Sequence, residues 1–150
     1  LPRFRLDAIQ TLRRAGIPVG VMVAPVIPAL NDFELPNIIA AAVQAGAGYA
    51  GYVMLRLPFA VAPLFENWLE RHFPDRKQKV IERIRAMRGG KLNEADFGSR
   101  MRGEGIFAEQ IQQMFHVACR KAGLSDRGPD LSTAHFRRPA GLQLGLFDDR

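Results

Sequence analysis

Gly16-Ile17-Pro18-Val19-Gly20-Val21-Met22-Val23-Ala24-Pro25-Val26-Ile27-Pro28 is the stretch from which the rest of the chain is read. Residues 19–25 are an apolar run broken only by Gly20, too short for a helix and rich in valine. Bounded by Pro18 and Pro25, such a run predicts a strand buried on both faces, as in a parallel sheet. Ala29-Leu30-Asn31-Asp32 follows as a turn, and Asp32 is expected to cap the next helix. That helix carries Leu35, Ile38, Ile39, Ala42 and Val43 on one face at helical spacing, with Pro36 blurring its start. Gly46 and Gly48 end it, and a second apolar strand is predicted over 49–57. Strand, loop, helix, strand is a βαβ unit, and ligands of such units meet the loops at the C-terminal ends of the strands. Residues 25–32 are therefore the first place to expect a site.

Working outward, Leu6, Ile9 and Leu12 form one stripe of an opening helix. Arg13 and Arg14 suit the dipole at its end, and Gly16 followed by Pro18 stops it. Past the second strand, Pro58 and Pro63 lead into a helix bearing Leu64, Phe65, Trp68, Leu69 and Phe73. Pro74-Asp75 starts another, with Val80, Ile81, Ile84 and Met87 inward. Its outer face is expected to hold Arg76, Lys77, Lys79, Arg83, Arg85 and Arg88. Periodicity dissolves over 89–105 and returns with Phe107, Ile111, Met114, Phe115, Ala118 and Cys119 on a final helix that ends at Gly123. Residues 124–150 show neither period and read as an extended or disordered, flexible tail. The expected organisation is residues 1–88 as an α-β-α-β-α unit, 89–123 as a glycine-rich basic loop plus helix, and 124–150 as the tail.

The chain has 150 residues, of which 47% are hydrophobic and 24% charged, the composition of one soluble globular domain. A net charge of +6 suits a polyanionic partner such as nucleic acid, and equally a plain solvated basic surface. The single cysteine, Cys119, excludes an internal disulfide and an all-cysteine metal site. No apolar run is long enough for a membrane helix, so a cytoplasmic, membrane-free protein is expected. The start at Leu1, directly before a helix, reads as part of something longer.

Three places carry candidate chemistry. Arg56 interrupts an apolar strand near its C-terminal end, where it must be paired or face a polar cavity, as an anion clamp or a structural ion pair. Across residues 71–102 there are ten Lys/Arg against four Asp/Glu. Five glycines between Arg88 and Gly105 let backbone approach a ligand, and Arg88, Lys91, Arg100 and Arg102 are each able to meet a phosphate. Phe97 is a candidate for base stacking or for packing beneath the loop. The tail peptide Gln143-Leu144-Gly145-Leu146-Phe147 resembles the short Gln-Leu-Ser/Asp-Leu-Phe motif by which bacterial repair and replication proteins dock on the DNA sliding clamp, with Gly145 the departure. In this reading Gln143 supplies an amide and Leu144, Leu146 and Phe147 the apolar anchors; otherwise they pack back on the domain. His72, His116 and His135 show no metal-ligand spacing, and there is no P-loop, dinucleotide fingerprint or nucleophile elbow.

Together these segments suggest a family. Residues 15–28 with Leu30-Asn31-Asp32 resemble a late strand of a radical S-adenosylmethionine enzyme, most closely the spore photoproduct lyase or DNA repair photolyase-like group. Gly51-Tyr52-Val53-Met54-Leu55-Arg56-Leu57-Pro58 resembles the last barrel strand of that group. Arg88-Gly89-Gly90-Lys91, Met101-Arg102-Gly103-Glu104-Gly105 and the Gln-Leu-x-Leu-Phe ending are similar to its C-terminal region.

The resemblance implies an α/β fold, the C-terminal part of a partial (β/α)6 TIM-like barrel with a mostly helical accessory region. It implies a lyase-like enzyme that uses a [4Fe-4S] cluster and S-adenosylmethionine to generate a 5′-deoxyadenosyl radical, with DNA as the substrate of the founding member. By strand position, Pro25, Val26, Ile27 and Pro28, with Arg56, Leu57 and Pro58, would meet S-adenosylmethionine. The family's Cys-x-x-x-Cys-x-x-Cys motif is absent from this chain, so the cluster ligands would lie upstream and the chain alone would be inactive. Two alternatives stand beside it: a non-catalytic module binding DNA or the clamp, and a (β/α) metabolic enzyme whose phosphorylated substrate meets Arg56 and the glycine loop.

Overall fold

The computed structural model describes residues 2–124 together with 128, 130, 132–134, 136 and 137. It contains helices α1 (Pro2–Arg14), α2 (Leu35–Gln44), α3 (Val61–His72), α4 (Pro74–Ala86) and α5 (Gly105–Lys121). Strands β1 (Gly20–Val26) and β2 (Tyr49–Met54) form a two-stranded parallel sheet. The protein is thus mixed α/β, and no barrel closes among the described residues. In register, Gly20 faces Tyr49, Val21 faces Ala50, Met22 faces Gly51 and Val23 faces Tyr52. The ladder slips between Val23 and Val26, where Pro25 has no N–H to give.

Alternation along the strands sorts the side chains. Val21 and Val23 turn with Ala50 and Tyr52 toward α2 and α5, where Leu35, Ile39, Ile111, Phe115, Ala118 and Cys119 complete the main core. The Tyr52 and Phe115 rings lie 4.8 Å apart. α1 docks on the flank of α2, burying Ile9 against Ala42 and Ala47. The expectation that β1 is buried on both faces is corrected: Met22 is 62% exposed, and Ala24 and Pro25 are open as well. The reason is layering, since the helices that pack on the sheet cover one face only. On the open face large side chains lie over glycines. A Cβ on Gly51 would sit 3.0 Å from the Met22 methyl, and one on Gly20 would run into the Tyr49 ring.

A second core gathers at the C-terminal ends of the strands. Leu30 and Leu57, each from a strand-end loop, pack with Leu69 of α3 and with Val80, Ile81 and Ile84 of α4. β2 ends at Met54 rather than continuing to Leu57. Met54 N donates to Met101 O at 2.9 Å, Leu55 N donates to Val26 O at 2.9 Å, and Leu57 then turns into the second core. The strand-end loops lie between the two cores.

Candidate functional site

The loop after β1 is held by its own polar side chains. Asn31 Oδ1 accepts from Ile27 N at 2.7 Å, and Asn31 Nδ2 donates to Pro25 O at 3.1 Å. Asp32 Oδ2 accepts from Ala29 N at 3.0 Å, steadying a left-handed residue at φ 64°. Asp32 also meets Arg83 of α4 at 3.7 Å, and the Arg83 guanidinium lies over the Phe107 ring. The role expected of Asp32 is therefore corrected. A 3-10 turn, Asp32–Glu34, precedes α2, so Asp32 sits too early to cap that helix and fastens the loop instead.

Beside this loop runs the one after β2, carrying Arg56. Arg88 reaches it from the end of α4: its Nη2 donates to Leu55 O at 2.8 Å, and the residue is only 4% exposed. Its expected place on the outer face is thereby corrected. α4 ends at Ala86, before the helical spacing would carry Arg88 outward. The turn that follows is closed by Arg88 N donating to Arg85 O and Gly90 N donating to the same oxygen, with Gly89 and Gly90 at positive φ. It swings the side chain inward. Burial holds the Arg88 guanidinium below its ordinary range; the neighbouring Arg56 charge acts in the same direction, and Glu94 opposes both. Arg56 Nε and Arg88 Nη1 are buried without a hydrogen-bond partner, as are Asn93 Oδ1 and Arg100 Nε.

The structure brings some of the predicted site residues together and scatters others. Pro25, Val26, Ile27 and Pro28 and then Arg56, Leu57 and Pro58 occupy adjacent strand-end loops. Val26, Pro28 and Leu57 are core, Pro25 is exposed, and Ile27, Arg56 and Pro58 are half-buried. Arg88 joins Arg56. Lys91 is exposed nearby in sequence, whereas Arg100 stacks on Phe97 with its guanidinium carbon 4.6 Å from the ring centre. Arg102 is exposed and lines a groove along β2 with Tyr52. Gln143, Leu144, Leu146 and Phe147 lie outside the described residues.

Two features were not anticipated. A groove of about 280 Å³ along β2 is lined by Gly51, Tyr52, Arg102, Gln112 and His116, and burial raises the Tyr52 hydroxyl above its ordinary value against the opposing charge of Arg102. A cleft of about 170 Å³ lies between Pro28, Asp32, Arg83 and the α5 residues Phe107 and Met114. Tyr52, a hydroxyl in an otherwise apolar strand, was a signal available in the sequence; Gln112 and His116 carried none. Among the described residues no group of three or more His, Cys, Asp or Glu is placed to hold a metal, and Cys119 is buried in α5. These residues do not fit an iron-sulfur cluster. Compared with protein-family models, curated proteins and solved structures, the chain matches none.

Proposed function

We propose that this chain is the C-terminal part of a radical S-adenosylmethionine enzyme acting on nucleic acid, the last two strands of a partial (β/α)6 barrel with its trailing helices. The observation that carries this is the layering of the sheet. Two parallel strands are joined through a helix, and helices cover one face, while the other presents Met22, Gly20 and Gly51. A doubly wound sheet needs helices on both faces, whereas a barrel wall needs them on one. The strand-end loops then face the ligand side. Of the residues assigned to S-adenosylmethionine by strand position, Pro25, Ile27, Arg56 and Pro58 retain the surface to meet an adenosyl group, and Val26, Pro28 and Leu57 support them from the core. The Cys-x-x-x-Cys-x-x-Cys ligands of the cluster are not among this chain's residues. Exposed Lys91 and Arg102, with the net charge of +6, supply the electrostatic attraction for a nucleic-acid backbone.

The test is the full-length protein reconstituted anaerobically with iron and sulfide. Reductive cleavage of S-adenosylmethionine, with release of 5′-deoxyadenosine that disappears when the upstream cysteines are replaced, is the expected result. Absence of a cluster and of cleavage would overturn the proposal. In that case the basic surface favours the second reading, a non-catalytic module that binds DNA, and a gel-shift measurement with the same protein would decide it.

A further inference from the structure

Arg56 and Arg88 are an unusual pair. Arg88 is almost wholly buried, and its bond from Nη2 to Leu55 O fixes the guanidinium beside the peptide that leads into Arg56. Arg88 Nη1 and Arg56 Nε are buried donors with no partner, and neither arginine forms an ion pair among the described residues. The acidic group that acts on Arg88, Glu94, is turned to its own backbone, its Oε1 accepting from Ala95 N at 2.7 Å and Asp96 N at 3.1 Å. Burying an uncompensated cation is costly, and placing a second beside it adds repulsion.

We infer that Arg56 and Arg88 form a binding site for a phosphate group at the C-terminal end of β2. Guanidinium forks match phosphate oxygens with parallel N–H donors, and a phosphate offers two adjacent guanidiniums more acceptor oxygens than a lone carboxylate does. The Leu55 bond orients Arg88 before any ligand arrives, which lowers the ordering cost of binding. Position agrees, because the ends of parallel strands are where ligands gather. The site shares Arg56 with the reading proposed above but does not rest on it. Phosphate binding is measured without iron or S-adenosylmethionine, so the two fail or succeed separately.

The experiment is a titration of the chain with inorganic phosphate at constant ionic strength, following the side-chain Nε–H resonances of nitrogen-15-labelled arginine. Saturable shifts at Arg56 and Arg88 are expected. Arg56→Lys, which keeps the charge and loses the fork, should weaken phosphate binding about tenfold without lowering the melting temperature. Competition by a short oligodeoxynucleotide would assign the phosphate to a nucleic-acid backbone; competition by a nucleoside monophosphate alone would assign it to a small molecule. Shifts that rise linearly and equally with chloride, acetate matching phosphate, or an Arg56→Lys variant that binds phosphate unchanged would each overturn the site. The wild-type titration is decisive even if the variant does not fold.

Discussion

Asn31 ties together the loop after β1 and caps no helix. It bridges Ile27 and Pro25 through both ends of its amide, so Asn31→Ala strands a part-buried N–H and loosens the loop. The expected cost is about 1–3 kcal/mol, read as a lower urea midpoint with an unchanged slope. Asn31→Asp keeps the acceptor and should recover part of the loss. Tyr52 makes a pH-dependent contribution. Its folded pKa lies above the ordinary 10.0, because burial opposes the phenolate more than Arg102 favours it. The proton is therefore held more tightly in the folded state, so this stability is full below about pH 10 and is lost as pH rises through the folded value. Tyr52→Phe keeps the ring against Phe115 and should flatten the decline in urea midpoint between neutral and strongly alkaline pH. An unchanged decline would place its origin elsewhere. At this scale the sequence was uneven. Arg56 was legible because a cation inside an apolar strand must be explained. Arg88 was misplaced because a helical wheel has no means of showing that the helix ends two residues earlier.

At the scale of elements, their order and kind were legible in the apolar spacing, and their boundaries less so. β2 is shorter than its apolar run, since Leu55 and Leu57 are apolar for the sake of the second core rather than the sheet. α5 could be seen as amphipathic, but nothing in its spacing named its partner. It packs on α2 and beneath the sheet, inside the main core. The segment that delivers it is anchored at two points: Met54 N donates to Met101 O, and Glu104 N donates to Met87 O. Between them Gly103 takes φ 74°, and a Cβ there would come within 3.3 Å of the Met87 carbonyl oxygen and 3.0 Å of its side-chain methyl. Gly103→Ala should therefore cost about 1–2 kcal/mol, the penalty of a left-handed alanine, with a matching fall in melting temperature. Hydrogen exchange should show faster opening at Met54 and Glu104 in that variant, because the lost bonds lie at those amides.

At the scale of the molecule, the layer arrangement is what the sequence left open. An apolar run of valines states that a strand avoids water but does not say which layer covers it. Here that difference is measurable: were Met22 core, Met22→Lys would be severe, but at its observed exposure it should change stability by no more than about 0.5 kcal/mol. A large loss would mean that something not among the described residues covers this face in solution.

The position of α5 has a consequence for synthesis. A ribosome makes the chain from its N-terminus, so β1, α2 and β2 emerge well before the helix that buries Phe115 and Ile111 against them. Until residue 105 and its successors leave the exit tunnel, the nascent sheet lacks α5 on the face it shares with α2 and is bare on its open face. That interval is when a holding chaperone has most to bind, and slow codons within 89–104 would lengthen it.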